Sequence, residues 1–187
     1  MSETTTTENK VRFNLKNVHY AVIGSGGTYG TPVDIKGAVS LDLSAEGEMS
    51  KFYADGIAYY VTNSNQGYSG SLEMAMFPAQ MLKDIWGYTE GTTSKVLTEN
   101  ANVEPKQFAL MYQIDGDKNS DYFVLYACSA TRPNIGSQTN EETKEVRTQT
   151  CDITAVPLSD GKVFARTTKD TPTATKEGWF TTVFQET

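Results

Sequence analysis

The 187-residue sequence contains a single histidine, His19, and only two cysteines, Cys128 and Cys151. A hydrolase of the triad type would have to use His19 as its base, and no nucleophile motif accompanies it. One histidine and two distant cysteines do not supply the three or four ligands that zinc requires. The sequence therefore marks no catalytic residues, no metal site and no cofactor, and we do not predict an enzyme.

Positive charge and long apolar runs are also scarce. There are 16 Lys and Arg residues against 23 Asp and Glu residues, and the net charge is −7. Specific nucleic-acid binding needs clustered basic residues, whereas these are scattered. No segment approaches the roughly 18 apolar residues of a membrane span, and residues 1–10 lack the apolar region of a signal peptide. We expect a cytoplasmic protein without membrane contact, whose cysteines are reduced and buried.

Strand-like alternation is abundant, and the stretch VDIKGAVSLDLSAE (33–46) shows it best. Its odd positions are mainly apolar and its even positions small or charged, which predicts one long strand unless the chain bends at Gly37. At about 3.3 Å per residue, this strand would reach about 45 Å, well beyond the usual length. We expect residues 48–54 to return antiparallel and to form a 33–54 hairpin. Asp55-Gly56 predicts a second tight turn, before a strand at 57–61.

The remaining pattern predicts a mainly β protein with two packed antiparallel sheets, a β-sandwich or barrel-like fold. It adds one short flanking α-helix over 78–87 and an extended arm or hairpin. Residues 1–12 are predicted to be a flexible N-terminal arm, and residues 13–187 a single domain. Residues 108–114 and 122–128 are almost continuously apolar, which predicts two strands at the centre of a sheet covered on both sides. Other strands are predicted at 16–23, 68–77, 145–155, 162–167 and 179–184.

Two short patterns resemble ligand sites but lack the required context. GSGGTYG (24–30) resembles part of a dinucleotide fingerprint, yet Thr31-Pro32 and a strand follow it instead of a helix. DGDKNSD (115–121) resembles the start of a calcium loop, but Ser120 and Tyr126 occupy the positions where an EF-hand needs Gly and Glu. We predict a flexible loop and a solvated hairpin turn, respectively.

Several runs of the sequence also match one protein family in order and spacing. They are KNVHYAVI (16–23), GTYGTPVDIKGAVSLDLSAEGE (27–48), FYADGIAYY (52–60), NQGYSGSLEMA (65–75), FALMYQIDGD (108–117), YFVLYACSATRP (122–133), ITAVP (153–157) and WF (179–180). In these runs the chain resembles the major tail (tail tube) proteins of long non-contractile-tailed phages (siphophages), particularly the branch typical of Gram-positive hosts. The least similar parts are residues 1–12 and 137–150.

The resemblance implies a structural virion protein that self-assembles into hexameric rings, whose inner strands join into one barrel around a lumen. Stacked rings would form the tail tube, a hollow conduit for DNA ejection. The implied partners are further copies of the chain, a tape-measure protein, and tail tip and terminator proteins, with DNA passing through without specific binding. The implied location is the virion tail, after assembly in the cytoplasm of the bacterial host.

Combined with the alternation in 33–54, this gives a set of assembly or lumen candidates. They are Asp34, Asp42, Glu46, Glu48, Leu41 and Leu43. Inward-facing carboxylates would repel phosphates, although the alternation leaves open whether this face lines the lumen or the outer surface. Replacing Leu41 and Leu43 with Asp is expected to abolish tube formation, and residues 1–12 are expected to tether neighbouring rings.

Two other functions remain open from the sequence. One is a carbohydrate- or host-surface-binding β-sandwich module with exposed aromatic side chains around a groove. Its candidate residues are Tyr29, Tyr53, Tyr59, Tyr60 and Tyr68. The other is a hydrolase that uses an unrecognised pair of carboxylates.

Overall fold

The structure, a computed structural model, describes residues 8–139 and 146–186. The protein is mainly β with antiparallel sheets, as predicted. The strands are β1 (Arg12–Val22), β2 (Val33–Asp34), β3 (Ala38–Glu46), β4 (Met49–Ala54), β5 (Ile57–Asn63), β6 (Gly67–Met74), β7 (Thr89–Glu90), β8 (Leu97–Thr98), β9 (Phe108–Gly116), β10 (Ser120–Ala130), β11 (Gln149–Ala155) and β12 (Phe164–Arg166). The helices are α1 (Ala79–Trp86) and α2 (Thr173–Glu177).

Eight strands form one antiparallel sheet in the order β2-β1-β9-β10-β11-β6-β3, with β12 beside β10. Four strands lie between β1 and β3 in this order, yet β1 and β3 lie near each other. The sheet is therefore curved. Side chains from both halves of the sheet therefore share one core, which gives the sandwich-like arrangement. The pairs β4–β5 and β7–β8 each form a separate two-stranded ribbon.

The main core lies on the concave side of the sheet, and α1 covers it. The helix buries Met81, Ile85 and Trp86, and the Trp86 Nε1–H donates a hydrogen bond to the carbonyl of Ala130 at 3.2 Å. Gly87 ends the helix in the left-handed region, with φ 68°, which glycine adopts without steric cost. The helix prediction is confirmed. Sheet residues of this core include Val18, Tyr20, Leu72, Met74, Phe108, Leu110, Cys151 and Ile153.

A second core lies on the opposite face of β1, β9 and β10. Strands β9 and β10 are therefore covered on both sides, as predicted for 108–114 and 122–128. The C-terminal segment covers this face, with Trp179 stacked on Phe184 at 5.1 Å. The prediction of a strand at 179–184 is wrong. The edge of β10 near Phe123 is already paired with β12, so the C-terminal aromatic side chains pack onto the face of the sheet instead.

The predicted long strand at 33–46 is interrupted, at the bend considered for Gly37. Ile35 is buried and donates its backbone N–H to Val18 at 2.9 Å, and Gly37 has φ 93°. As a result β2 pairs with β1 at one end of the sheet, whereas β3 pairs with β6 at the other. The predicted 33–54 hairpin is wrong, because β4 pairs with β5.

The hairpin turns predicted at Asp55-Gly56 and within 115–121, and a loop at 24–30, are confirmed. Asp55 and Gly56 have φ of 53° and 78°, as a type I′ hairpin turn requires. Residues 115–121 include the turn between β9 and β10, and residues 24–30 form a loop. Cys128 and Cys151 are buried and free, and burial raises the pKa of each thiol to about 12. Both thiols are therefore uncharged at neutral pH and poorly reactive.

Candidate assembly surface

One long hairpin runs from β3 to β6 and carries the exposed surface of interest. Strands β3 and β6 pair from Ala38 opposite Met74 to Glu46 opposite Gly67. Backbone hydrogen bonds continue the ladder, from Gln66 to Glu46 at 2.8 Å and from Ser64 to Glu48 at 3.0 Å. Pairing then passes to β4 and β5 and ends at the Asp55-Gly56 turn. We call the β4–β5 part of this hairpin the ribbon.

The ribbon is almost entirely exposed, with only Ala54 half-buried. Its apolar and aromatic side chains are large and lie on both faces. They are Met49, Phe52, Tyr53, Ile57, Tyr59, Tyr60 and Val61. Within the described part of the chain β4 and β5 pair only with each other, so each has an edge of unpaired backbone groups. Apolar faces with free edges are features that proteins usually cover with a partner.

Below the ribbon, the outer face of β3, β6 and β11 is polar and negative, and we call it the acidic face. Asp42 lies opposite Ser71, which in turn lies opposite Asp152 on the neighbouring strand. Its outward-facing residues are Ser40, Asp42, Ser44, Glu46, Ser69, Ser71, Glu73, Thr150, Asp152 and Thr154. These three strands, which are described in full, contain neither Lys nor Arg. The surface therefore combines carboxylates with small hydroxyl side chains.

Hydrogen bonds within the acidic face hold two of its carboxylates. Glu73 accepts hydrogen bonds from Ser40 Oγ at 3.0 Å and from Thr148 Oγ1. These bonds lower the pKa of Glu73, so its carboxylate is charged at neutral pH. Ser69 donates a similar bond to Glu46. The hydroxyl groups thus orient the negative charges without neutralising them.

The structure places the six sequence-derived candidates at four separate locations. Asp42 and Glu46 lie on the acidic face, while Glu48 lies in the connection to the ribbon. Asp34 lies on β2 opposite His19, at the other end of the sheet order. Leu41 and Leu43 are half-buried and pack against the main core. Four of the six candidates therefore lie outside the acidic face.

Sequence reasoning missed two carboxylates of the acidic face, Glu73 and Asp152. The available signal was the alternation in β6 and β11, where the buried Leu72 and Ile153 lie between exposed or half-exposed polar residues. Alternation showed that these strands have a polar face. It did not show that β3, β6 and β11 are neighbours.

The aromatic residues considered for a carbohydrate groove do not converge. Tyr53, Tyr59 and Tyr60 lie on the ribbon, whereas Tyr29 packs in the second core and Tyr68 packs against Phe164. No groove formed by all five is present in the described residues.

His19, the residue that a triad would need, packs against an aromatic ring. Its imidazole stacks on Phe180 with ring centroids 4.6 Å apart, and Nδ1 lies 3.0 Å from the carbonyl oxygen of Asn17. Across residues 8–139 and 146–186, no group of His, Cys, Asp and Glu side chains has an arrangement suited to a metal ion. Over the same ranges, no helix is long and apolar enough to span a membrane.

The described part of the predicted N-terminal arm contacts the turn between β9 and β10. The Asn9 side chain donates to the carbonyl of Asn119 at 2.8 Å, and the Lys10 backbone N–H donates to Asp117 at 2.8 Å. Arg12 forms an ion pair with Asp121 at 2.8 Å. Residues 1–7 of the predicted arm lie outside the described residues.

Comparison with protein-family models and with curated proteins gives no match. Comparison with solved structures gives matches. One is the anti-feeding prophage cap, described as a tube terminating cap, at 11% identity and a TM-score of 0.44 over 89% of this chain and 99% of that chain. Another is the PVC sheath–tube complex, an extracellular contractile injection system in its extended state. It has 11% identity and a TM-score of 0.45, with the same coverage of both chains. At this identity and these TM-scores, neither match assigns a family or a function.

Proposed function

We propose that this chain is the tail tube protein of a siphophage, a structural virion protein that assembles into stacked hexameric rings. The tube would be a hollow conduit for DNA ejection. The observation that carries the proposal is the long hairpin, on which an acidic face without Lys or Arg adjoins an exposed apolar ribbon.

The ribbon supports self-assembly because no described residue outside the ribbon pairs with its edges, and both its faces are exposed. Exposed strand edges recruit further strands, and a closed ring of identical subunits removes such edges. The edge of β3 away from β6 is likewise unpaired in the described residues. Strands of neighbouring copies would therefore complete the sheet that a single copy leaves open.

The acidic face suits the lining of a channel for DNA. Negative charge would be presented to the DNA phosphates by Asp42, Glu46, Glu73 and Asp152. Strands β3, β6 and β11 contain no Lys or Arg that could bind the phosphates. Six chains of −7 each would carry a formal charge of about −42 per ring. DNA would then pass through the lumen without being held.

The proposed family branch, partners and location rest on the sequence resemblance. The branch is the one typical of Gram-positive hosts, and the partners are a tape-measure protein and tail tip and terminator proteins. The location is the virion tail, after assembly in the cytoplasm of the bacterial host. The absence of a catalytic motif in the sequence agrees with a structural role.

Negative-stain electron microscopy of the purified protein, concentrated gently, tests the proposal. We expect hollow tubes of uniform width. Tubes from an Asp42→Lys, Asp152→Lys variant are expected to retain DNA at low salt, whereas wild-type tubes release it. A wild-type protein that stays monomeric at every concentration would contradict the proposal.

A carbohydrate- or host-surface-binding module is the second candidate, and the exposed Tyr53, Tyr59 and Tyr60 of the ribbon favour it. Aromatic rings stack on the apolar faces of sugars. Glycan arrays and cell-binding assays on the monomer, compared with a Tyr59→Thr, Tyr60→Thr variant, separate the two functions. Saturable binding by a protein that never polymerises would favour this candidate.

A further inference from the structure

The turn between β9 and β10 binds the N-terminal segment of its own chain. In DGDKNSD (115–121) every second residue is Asp or Asn, the pattern that resembles the start of a calcium loop. Each of these four residues accepts a bond from a donor group within residues 9–16. The pairs are Asp115 with Lys16, Asp117 with Lys10, Asn119 with Asn9, and Asp121 with Arg12. We call residues 9–17 the latch and residues 115–121 the acidic turn.

Two ion pairs connect the latch to the acidic turn. The Lys16 Nζ lies 2.6 Å from Asp115, and an Arg12 Nη lies 2.8 Å from Asp121. The Asp115 and Asp121 side chains are 16% and 13% exposed, whereas those of Lys16 and Arg12 are 50% and 43% exposed. Dissolved ions reach these cationic groups, so salt screens both pairs. The attraction between the latch and the turn is therefore expected to weaken as the ionic strength rises.

The side chain of Asn9 fills a space above Gly116 in the acidic turn. It donates to the carbonyl of Asn119 at 2.8 Å and accepts the backbone N–H of Asn119 at 2.8 Å. A Cβ at position 116 would overlap the Asn9 carboxamide. The φ of Gly116 lies outside the left-handed region, so this glycine provides space and not a special backbone conformation. The turn is therefore shaped to receive the latch.

The backbone of the latch is joined irregularly to β9. Two register shifts interrupt the pairing of β1 with β9 between positions 13 and 19. Asn14 and Asn17 lie at these shifts and have φ of 67° and 48°, which are left-handed values. From His19 to Val22 the pairing is regular. Asn17 therefore marks the boundary between an irregular and a regular part of β1.

Little apolar surface holds the latch in place. Val11 and Phe13 are 57% and 54% exposed, and Leu15 is the one apolar side chain of the latch that packs against either described core. Beyond the boundary, by contrast, Val18 and Tyr20 are buried. Apolar burial is the dominant favourable contribution to folding, and the latch has little of it. Segments of this kind open locally at a lower free-energy cost than the core of a domain.

We propose that the latch opens and closes as one unit about Asn17, under the control of ionic strength, while the rest of the domain stays folded. This opening is a property of the single chain and does not depend on the proposed function. It breaks both ion pairs, withdraws Asn9 from the turn and uncovers the edge of β9 at 113–116. The Arg12 guanidinium, which lies 5.4 Å from the centroid of the Phe123 ring, also leaves that ring. The acidic turn is thus the closing surface of a salt-sensitive conformational switch.

Limited proteolysis of the dilute protein with trypsin tests the effect of salt, because the latch contains Lys10, Arg12 and Lys16. Cleavage of a transiently open segment follows the population of the open state. Between about 50 mM and about 1 M NaCl, we expect cleavage after Arg12 to increase about fivefold or more relative to cleavage after Lys106. Lys106 is exposed and forms no ion pair within the described residues, so it reports general effects of salt on trypsin and on unfolding. Equal changes at both sites, or no change at Arg12, would overturn the latch.

Gly116→Ala tests the latch without a change in charge. Its methyl group displaces Asn9, so we expect cleavage after Arg12 to rise about threefold or more at low salt, with cleavage after Lys106 unchanged. Gly136→Ala is the matched control, because a Cβ at position 136 meets no atom within 4 Å and the φ there is also not left-handed. A similar rise in both variants, or in neither, would overturn the docking of Asn9 as part of the closed state.

Asp121→Asn removes one ion pair and keeps the shape of the side chain. We expect faster cleavage after Arg12 at low salt and a smaller effect of added salt than in the wild type. Asp160→Asn is the control, since Asp160 pairs with Lys162 at 3.2 Å outside the latch and the acidic turn. An unchanged salt dependence in Asp121→Asn would overturn the ionic control of opening.

Hydrogen exchange locates the boundary of the opening unit. We expect added salt to accelerate exchange of the backbone amides of residues 12–16 and to leave those of residues 19–22 unchanged. Equal acceleration throughout 12–22 would show that β1 opens as a whole and would overturn the assignment of Asn17 as the hinge.

Discussion

Phe52 and Tyr60 lie directly opposite each other on the two strands of the ribbon, and both are more than 60% exposed. Aromatic pairs of this kind stabilise a sheet when another layer covers them. No described residue of the chain supplies that layer. A two-stranded ribbon in water is marginally stable at best, so the pair has more to contribute to a contact between copies than to the fold of one copy.

We therefore expect a Phe52→Thr, Tyr60→Thr variant to fold normally and to assemble poorly. Threonine keeps β propensity, and exposed substitutions change the unfolding free energy by less than about 1 kcal/mol. Thermal unfolding of the monomer and the yield of sedimented polymer measure the two effects. Val96→Thr, at another exposed apolar position, is the control. Equal polymer yields from wild type and the double variant would show that the ribbon is not an assembly surface.

The Leu41→Asp, Leu43→Asp variant is expected to lose stability before it can report on assembly. Both leucines pack against the main core, and Leu41 lies opposite the buried Leu72. Removing this packing and placing carboxylates there should cost at least about 2 kcal/mol of unfolding free energy. Urea unfolding measures the loss, with Asp42→Asn as the exposed control on the same strand. A wild-type unfolding midpoint in the double variant would refute the packing of these leucines.

Asp115 is expected to make stability fall at acidic pH. A hydrogen bond and ion pair with Lys16 at 2.6 Å, and bonds from Ser120 and Gln113, lower the pKa of Asp115 from 3.8 to about 2. Its folded-state pKa lies below the unfolded value, so its contribution is fully present above pH 3.8 and is lost as the pH falls toward 2.

Urea midpoints of wild type and Asp115→Asn, measured from pH 6 to pH 2, test this dependence. The difference between the two proteins should be largest near pH 6 and should shrink as the pH approaches 2. Glu104→Gln, at an exposed position, serves as the control. A difference that stays constant over this pH range would contradict the assigned hydrogen-bond partners.

Two N-terminal deletions are expected to differ in their effect on folding. Removal of residues 1–7 leaves the contacts of Asn9, Lys10 and Arg12 with the β9–β10 turn intact, whereas removal of 1–12 eliminates them. We expect the shorter deletion to keep the wild-type unfolding midpoint and to polymerise poorly, as a tether between rings predicts. Full polymerisation after the shorter deletion would count against the tethering role. A lower unfolding midpoint is expected only for the deletion of residues 1–12.

The candidate site could be predicted only in part from the sequence. Asp42 and Glu46 were found because alternation places them on the polar side of one strand. Alternation also placed Asp34 in that set, since it continues through 33–46. The buried Ile35 and the left-handed Gly37 break the strand, and they send Asp34 to the opposite end of the sheet order. Glu73 and Asp152 were missed because no local pattern states that β6 and β11 are neighbours.

The sequence by itself determined the local features: the strands β9 and β10, helix α1, the Asp55-Gly56 turn and the excess of negative charge. These depend on periodicity, turn chemistry and composition, which act over a few residues. The tertiary structure decided which strands pair, which carboxylates share one face, and that the aromatic C-terminal segment covers a sheet instead of extending it. Burial in a shared core selects these partners, because alternation specifies the face of a strand but not its neighbour.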